Sequence, residues 1–200
     1  MTLIKLIEIL AILVGAFSGF IEARSKRMDV VGVFTVAFIT AFGGGTLRDI
    51  LLDQRPLFWV AHQEYAILIF LLSLMAVPLI RTLREIVSVR LIVVADALGL
   101  GLFSIAGVAQ ALESGMPLFV ASMMGVITGI FGGILRDIVC NEIPMVLRDG
   151  KPYAICAFLG CWVYLLMNKA GAPPDIALWF SALLITGLRL LTWIKGVKLK

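Results

Sequence analysis

Long apolar runs separated by short polar connections dominate the pattern of hydrophobic and polar positions along this chain. Seven runs stand out, at residues 3 to 23, 30 to 52, 64 to 81, 91 to 112, 117 to 140, 152 to 168 and 175 to 194. Each is close to the ~20 mainly apolar residues that a helix needs to cross a bilayer. The pattern therefore predicts seven transmembrane helices and leaves almost nothing for a soluble domain.

The first run has two readings, a cleaved signal peptide or a retained helix. Its positive N-terminal region is thin, because Lys5 is offset by Glu8, and the run is followed by the basic Arg24, Lys26 and Arg27. These flanks differ from those of a signal peptide. We therefore expect a retained first transmembrane helix.

The composition agrees with this pattern. The chain is 61% hydrophobic and 15% charged over 200 residues, and a soluble domain of that size would have to cover its surface with apolar side chains. The composition indicates an all-α integral membrane protein. Cys140, Cys156 and Cys161 show no metal-ligand spacing, so we interpret them as packing residues.

Lysine and arginine are distributed unequally between the two sets of connections. One side has only Lys5, Arg55 and Lys169, whereas the other has Arg24, Lys26, Arg27, Arg81, Arg84, Arg90, Arg148, Lys151, Lys195, Lys198 and Lys200. The positive-inside rule makes the second side cytoplasmic. It predicts a plasma (inner) membrane protein with its N-terminus outside and its C-terminus in the cytoplasm. A basic rim facing anionic lipid accounts for the net charge of +4, without a nucleic-acid partner.

A seven-residue motif occurs twice, each time within an apolar run. Residues 44–50 read GGTLRDI and residues 132–138 read GGILRDI. The spacing of 88 residues also relates other identical pairs, namely Gly19 and Gly107, Ala23 and Ala111, Thr40 and Thr128, Pro56 and Pro144, and Tyr65 and Tyr153. The sequence therefore contains an internal duplication without a gap.

The duplication predicts the topology. Each copy has three spans, and an odd number of crossings makes the second copy enter the membrane from the opposite side. We expect a first three-helix repeat at 1–88, an inverted second repeat at 89–170, and a seventh helix with a basic tail at 171–200. For the seventh helix we prefer a peripheral or oligomer-facing position to a pore-lining one.

The glycines of the motif predict broken helices. Residues 43–45 are consecutive glycines in the middle of the second span, where each costs about 1 kcal/mol relative to Ala. We expect the helix to break or kink there, with Thr46 capping a new half-helix and Asp49 completing a capping-box-like pattern. A break at membrane depth requires a cavity or pore. In the fifth span Phe131 replaces the first glycine, so its break at Gly132 and Gly133 is expected to be milder.

Small residues recur at every fourth position in the same two spans. They are Ala37, Ala41 and Gly45 in the second span, and Gly125, Gly129 and Gly133 in the fifth. Such ridges allow two helices to approach closely. Ordinary helix packing and the bounding of a pore both fit this pattern.

Charged residues inside a membrane span are expensive and are usually functional. Arg48 and Asp49 project about 100° apart on a helix, so we expect them not to pair with each other. Across the pseudo-two-fold axis, Arg48 would instead reach Asp137, and Arg136 would reach Asp49. Two roles remain open for these charges, a structural lock or contact with a permeating solute.

Two further carboxylates are related by the duplication. Glu8 and Asp96 are separated by 88 residues and lie in the first turns of the first and fourth spans. They either line vestibules for cations or are interfacial carboxylates near helix N-termini.

The sequence has no set of residues typical of an enzyme. It contains one histidine, His62, in a predicted loop, and no nucleotide-binding glycine pattern. We expect no catalytic residue, metal site or cofactor.

The duplicated GG-x-LRD signature, the three-plus-three-plus-one arrangement and the length resemble those of prokaryotic trimeric intracellular cation channels, a family also catalogued as glycine transporters. The resemblance implies a homotrimer with one hydrophilic pore in each protomer and passage of monovalent cations, mainly potassium. It also implies pore-bounding kinks at Gly43, Gly44 and Gly45 and at Gly132 and Gly133.

We therefore predict a potassium-permeable channel. The alternative is a secondary transporter of glycine or another small zwitterion. Helix N-termini and Arg48 or Arg136 would suit a carboxylate, while Asp49 or Asp137 would suit an ammonium group.

Overall fold

The computed structural model describes residues 3–82, 89–148 and 152–197, with side chains described for 3–75, 90–148 and 152–197. These residues form eight α-helices and one short 3-10 turn, Met145–Leu147. The helices are α1 (Leu3–Ser25), α2 (Val30–Leu51), α3 (Phe58–Ala61), α4 (Gln63–Thr82), α5 (Val89–Glu113), α6 (Leu118–Val139), α7 (Tyr153–Lys169) and α8 (Pro174–Ile194).

The seven predicted helices are all present, and α3 is an added short helix in the connection after α2. By length and hydropathy, α1, α2, α5, α6 and α8 can each cross a membrane. α4 and α7 are shorter as apolar helices, over Gln63–Met75 and Tyr153–Lys169. The 17 residues of α7 would span about 25 Å. Of the residues used to predict orientation, Arg84, Lys151, Lys198 and Lys200 lie outside the described residues, and the Arg81 side chain is not described.

The duplication is visible in the backbone between helices. Arg27 and Gly115, which are 88 residues apart, both have positive φ, at 59° and 75°, and Asp53 and Asn141 do so at 52° and 57°. Each of these residues follows the end of a helix, where a left-handed residue turns the chain and satisfies terminal carbonyls. Equivalent turns thus connect α1 to α2 and α5 to α6.

α2 and α6 cross at their middles in opposite directions. A Cβ added at Gly44 would lie 2.1 Å from the carbonyl oxygen of Thr128, and one added at Gly132 would lie 2.4 Å from that of Thr40. Because Thr40 and Gly44 of α2 meet Gly132 and Thr128 of α6 in reversed order, the helices are antiparallel. This reciprocal crossing is the centre of the inverted repeat.

The predicted breaks at the glycines of the second and fifth spans are absent, and a kink at these glycines stays a prediction. α2 is a continuous helix from Val30 to Leu51, and α6 is continuous from Leu118 to Val139. Thr46 therefore begins no new half-helix, and Phe131 causes no difference in continuity. The physical reason is the crossing itself, because the glycines let two backbones meet where any side chain would collide.

α8 packs on the outside of the second repeat. Its Thr186 hydroxyl donates to the carbonyl of Ala97 in α5 at 3.2 Å, and its Ile185 lies against Gly160 of α7. Phe180 and Leu183 on its other face are more than half exposed. α8 is thus peripheral to the crossing of α2 and α6, as expected.

Candidate functional site

Arg48 organises a buried cluster of charges, the first cluster, which comprises Glu8, Arg48 and Asp49. Arg48 lies in the last turn of α2 and is 1% exposed. Its Nη1 donates to Glu8 Oε1 at 2.7 Å, and its Nη2 and Nε donate to Asp49 Oδ1 at 2.7 and 2.9 Å. Both carboxylates therefore neutralise one guanidinium, whose charge also suits a helix C-terminus.

Arg136 organises the second cluster, which comprises Asp96, Arg136 and Asp137. Its Nη1 lies 3.2 Å from Asp96 Oδ1, and its Nη2 and Nε lie 2.8 and 2.9 Å from Asp137 Oδ1. Nη1 also donates to the Ser18 hydroxyl of α1 at 2.6 Å. The first repeat thus supplies a hydroxyl to the second cluster.

The two aspartates also hold the connections that follow their helices. Asp49 Oδ2 accepts from the backbone N–H of Phe58 at 2.9 Å, and Asp137 Oδ2 accepts from that of Met145 at 2.8 Å. One oxygen of each aspartate thus binds an arginine while the other binds the loop. The aspartates couple the charge clusters to the ends of the protein.

The predicted pairs Arg48 with Asp137 and Arg136 with Asp49 were wrong. Arg48 and Arg136 each lie in the last turn of a helix, and antiparallel helices that cross at their middles place these turns at opposite ends of the protein. The clusters therefore lie on opposite sides of the crossing of α2 and α6 and do not meet there. Neighbouring residues do pair, because the long arginine side chain curls back to the next carboxylate despite the 100° between their Cβ directions.

The roles expected for Glu8 and Asp96 are partly corrected. Neither is an exposed interfacial carboxylate, since they are 6% and 7% exposed and each binds an arginine 40 residues along the chain. Glu8 also lines a cavity of about 280 Å³, the vestibule cavity, which contains Lys5, Asp49, Gln54, His62 and Glu113 as well. Of this pair, Glu8 thus lines the vestibule cavity formed by the described residues.

Three small cavities follow beyond the vestibule cavity. The aromatic cavity, of about 10 Å³, is bordered by Glu8, Phe42, Arg48, Trp59 and Phe103. The glycine cavity, of about 20 Å³, is bordered by Gly15, Ser18, Thr40, Asp96, Phe103 and Arg136. The end cavity, of about 10 Å³, is bordered by Asp96, Arg136, Asp137 and Tyr153. Neighbouring cavities share lining residues: Glu8 joins the first two, Phe103 the next two, and Asp96 and Arg136 the last two. These four cavities therefore lie in sequence from the first cluster to the second.

The motif glycines have different positions along this series. Gly45 borders the aromatic cavity, and Gly132 and Gly133 border the glycine cavity. Gly43 and Gly44 instead lie against α6, where added Cβ atoms would be 2.7 Å from Leu135 Cδ1 and 2.1 Å from the Thr128 carbonyl oxygen. The predicted set therefore divides into cavity-bordering and packing glycines.

The connections close the two ends of the protein differently. Beside the vestibule cavity, Gln54 donates to the Ser114 hydroxyl at 2.8 Å and accepts from Gln110 at 2.8 Å. At the other end, the corresponding position is Glu142, which bonds to Lys26 and lies 2.6 Å from Arg148. A neutral amide network thus faces a wide cavity, whereas an ionic bridge joins the connection after α1 to the connection after α6.

The ionic bridge changes the acidity of both partners. The hydrogen bond to Glu142 raises the pKa of Lys26 above its usual value. The hydrogen bonds from Lys26 and Arg148 lower the pKa of Glu142. Both groups therefore remain charged over a wider pH range than free side chains.

Sequence reasoning missed Arg189 of α8. It is 1% exposed, and its guanidinium carbon lies 4.5 Å from the centre of the Tyr153 ring. Its Nε and Nη1 make no hydrogen bond within the described part of the chain. An arginine within the seventh apolar span was the available signal. α8 is peripheral, yet it brings a positive charge to Tyr153 beside the second cluster.

The three cysteines are buried and free. Cys156 donates to the carbonyl of Pro152 at 2.7 Å, and Cys161 contacts the carbonyl of Ser104 at 3.8 Å. These contacts fit the packing role expected from the sequence.

Known proteins match both the sequence and the fold. The model of the family described as "Glycine transporter" matches residues 5–81 and again residues 93–169. The inner membrane protein YadS of Escherichia coli K12, which is assigned to UPF0126, is 39% identical over 158 residues, covering 79% of this chain and 75% of YadS.

Two solved structures share the whole fold. The trimeric intracellular cation (TRIC) channel orthologue from Rhodobacter sphaeroides has a TM-score of 0.89 and 30% identity, covering 98% of this chain and 100% of that one. A TRIC cation channel studied for the structural basis of its conductance has a TM-score of 0.83 and 32% identity, covering 100% of this chain and 97% of the other. The chain belongs to the glycine transporter family and has the fold of the TRIC channels.

Proposed function

We propose that this protein is a potassium-permeable channel for monovalent cations, with one pore inside each protomer of a homotrimer. The observation that carries the proposal is the similarity, over nearly the whole chain, to solved structures of TRIC cation channels, one of them described as trimeric. The series of cavities between α1, α2, α5 and α6 supports a path within one protomer.

The charges along this path support a cation as the permeating species. Around the vestibule cavity, the carboxylates of Glu8, Asp49 and Glu113 outnumber the positive groups of Lys5 and Arg48. Because carboxylates already bind Arg48 and Arg136, neither arginine presents an uncompensated positive charge to a cation. A mouth with excess negative charge raises the local cation concentration.

The same proposal includes the placement in the membrane. We place the N-terminus outside and the C-terminus in the cytoplasm of the plasma membrane, with repeats at 1–88 and 89–170, a seventh-helix region at 171–200, and basic residues facing anionic lipid. The inner-membrane location of YadS supports this membrane, and the basic connections support this orientation.

A second candidate function is secondary transport of glycine or another small zwitterion. The family description favours it, and so does the inequality of the two ends, because a transporter exposes its site to one side at a time. In this case Arg48 or Arg136 would bind the carboxylate of the solute and a neighbouring aspartate its ammonium group.

Reconstitution separates the two functions. The purified protein would be placed in planar bilayers under a potassium gradient, and the same preparation would be tested for radiolabelled glycine uptake in liposomes. We expect discrete ohmic current steps that reverse near the potassium equilibrium potential. Saturable glycine uptake without unitary current would overturn the channel proposal and favour the transporter.

A further inference from the structure

Gly15 and Phe103 are corresponding positions of the two repeats that carry very different residues along the internal path. Phe103 of α5 and Gly15 of α1 are 88 residues apart and therefore correspond. A Cβ added at Gly15 would lie 3.2 Å from Phe103 Cε2 and 3.2 Å from the Cα of Ala41. The absence of a side chain on α1 thus leaves the space that the aromatic ring from α5 fills.

The Phe103 ring borders two successive cavities. It lines the aromatic cavity together with Glu8 and Arg48, and the glycine cavity together with Asp96 and Arg136. The ring is 9% exposed. Phe103 therefore stands between the cavity that contacts the first cluster and the cavity that contacts the second.

An apolar ring at this place has a direct consequence for ions. It offers no oxygen to replace the water around a cation, and apolar constrictions stop conduction by excluding water. The cavities on its two sides, of about 10 and 20 Å³, have room for about one water molecule each.

We infer that Phe103 forms the central constriction of the ion path and that its ring, rather than the charge clusters, limits cation flux. This inference rests on the proposed channel function. The repeats differ here because a side chain at Gly15 would press on the backbone of Thr40 and Ala41, so only α5 supplies a ring at this pair of positions.

The test uses Phe103→Ala and Phe103→Leu in the full-length protein, reconstituted in planar bilayers beside the wild type. Phe34→Ala is the matched control, because Phe34 of α2 packs against Phe38 and Phe70 and borders none of the four cavities. We expect Phe103→Ala to raise potassium conductance roughly threefold or more by widening the apolar constriction. Phe103→Leu, with a smaller apolar side chain, should also raise conductance but by less than Phe103→Ala, and Phe34→Ala should leave conductance near the wild-type value.

Thermal unfolding and size-exclusion chromatography in detergent accompany the currents. Phe103→Leu keeps an apolar side chain and replaces the alanine variant in the test if Phe103→Ala fails to fold. A potassium conductance above the wild-type value in Phe103→Leu would then support the constriction. A conductance equal to or below the wild-type value would overturn it. Equal currents from wild type and folded Phe103→Ala would overturn the inference while the channel function stands. No current from any variant, together with glycine uptake by the same preparation, would overturn both.

Discussion

The two charge clusters have the same three parts but different surroundings. In each, an arginine in the last turn of a helix binds the next aspartate and a carboxylate 40 residues earlier. The first cluster borders the vestibule cavity of about 280 Å³. The second borders cavities of about 20 and 10 Å³ and lies beside Tyr153, over which Arg189 of α8 is placed.

This difference shows what the duplication specifies and what it leaves free. The duplicated residues set the ion pairs, whereas residues outside the duplicated pattern determine how wet and how positive each cluster is. Ser18 of α1 donates no charge but binds Arg136 of the second cluster, and Arg189 of α8 lies over Tyr153 beside that cluster. α8 has no counterpart in the first repeat among the described residues. The two ends of the path therefore differ in the side chains around their charge clusters, although the two repeats share equivalent turns and a reciprocal helix crossing.

The largest expected effect comes from removing the arginines. Arg136→Met leaves Asp96 and Asp137 buried without their partner, and breaking a buried ion pair typically costs about 3 to 5 kcal/mol. Arg48→Met should cost less, because water in the vestibule cavity can reach Glu8 and Asp49. Thermal unfolding in detergent measures both, and a greater loss in Arg48→Met would contradict the difference between the clusters.

A double variant tests the separation of the clusters. Because Arg48 and Asp137 lie at opposite ends of the protein, the destabilisations of Arg48→Ala and Asp137→Ala should add within about 0.5 kcal/mol. The same unfolding assay applies. Recovery of stability in the double variant would instead favour pairing across the repeats.

Alanine substitutions on the two sides of the crossing of α2 and α6 should lower the free energy of unfolding by similar amounts, and by less than the arginine substitutions do. Gly44→Ala and Gly132→Ala place a methyl group against the Thr128 and Thr40 carbonyls, and overpacking typically costs about 1 to 3 kcal/mol. Gly45→Ala is the control, since its nearest neighbouring atom is 3.8 Å away. Unchanged unfolding in Gly44→Ala would show that the glycines are not needed for close packing.

Replacing Arg189 should affect conduction more than stability. In Arg189→Met the loss of the cation–π contact and the relief of unpaired N–H groups oppose each other, each being worth about 1 to 2 kcal/mol. Unfolding should therefore shift little, while potassium conductance should rise because a positive charge beside the second cluster is removed. Arg189→Lys, which retains the charge, is the matched control. A conductance that falls in Arg189→Met would contradict this role.

The smallest effect is expected at the ionic bridge, and it should depend on pH. The pKa of Glu142 is lowered and that of Lys26 is raised. The Glu142 contribution is present above its unfolded pKa and is lost as pH falls through the lowered folded pKa, whereas the Lys26 contribution is lost as pH rises through its raised pKa. Glu142→Gln should slightly lower the unfolding temperature at neutral pH and match the wild type in acid below that lowered pKa. Gln54→Ala, at the neutral end, should show no such pH dependence in the same melts.

The helices and their inverted arrangement were predictable, because they follow from local hydrophobic pattern and from the odd number of spans in each copy. Apolar runs of bilayer length predicted the helices, and three spans in each copy predicted inversion, which the antiparallel crossing of α2 and α6 confirms. Arg48, Asp49, Arg136 and Asp137 were identified because charge within an apolar span is rare. The domain boundaries, the orientation of the termini and the trimer stay predictions.

The sequence by itself determined the apolar helices, their inverted duplication and the identity of the charges in the two clusters, since these depend on neighbours along the chain. Only the tertiary structure decided which charges meet, whether the glycines break or pack, and where Phe103 and Arg189 lie. Partners such as Glu8 and Arg48, or Tyr153 and Arg189, are tens of residues apart and are joined by the helix faces that pack together. The register of those faces is set by small residues at close crossings, and no local pattern specifies which distant face each one contacts.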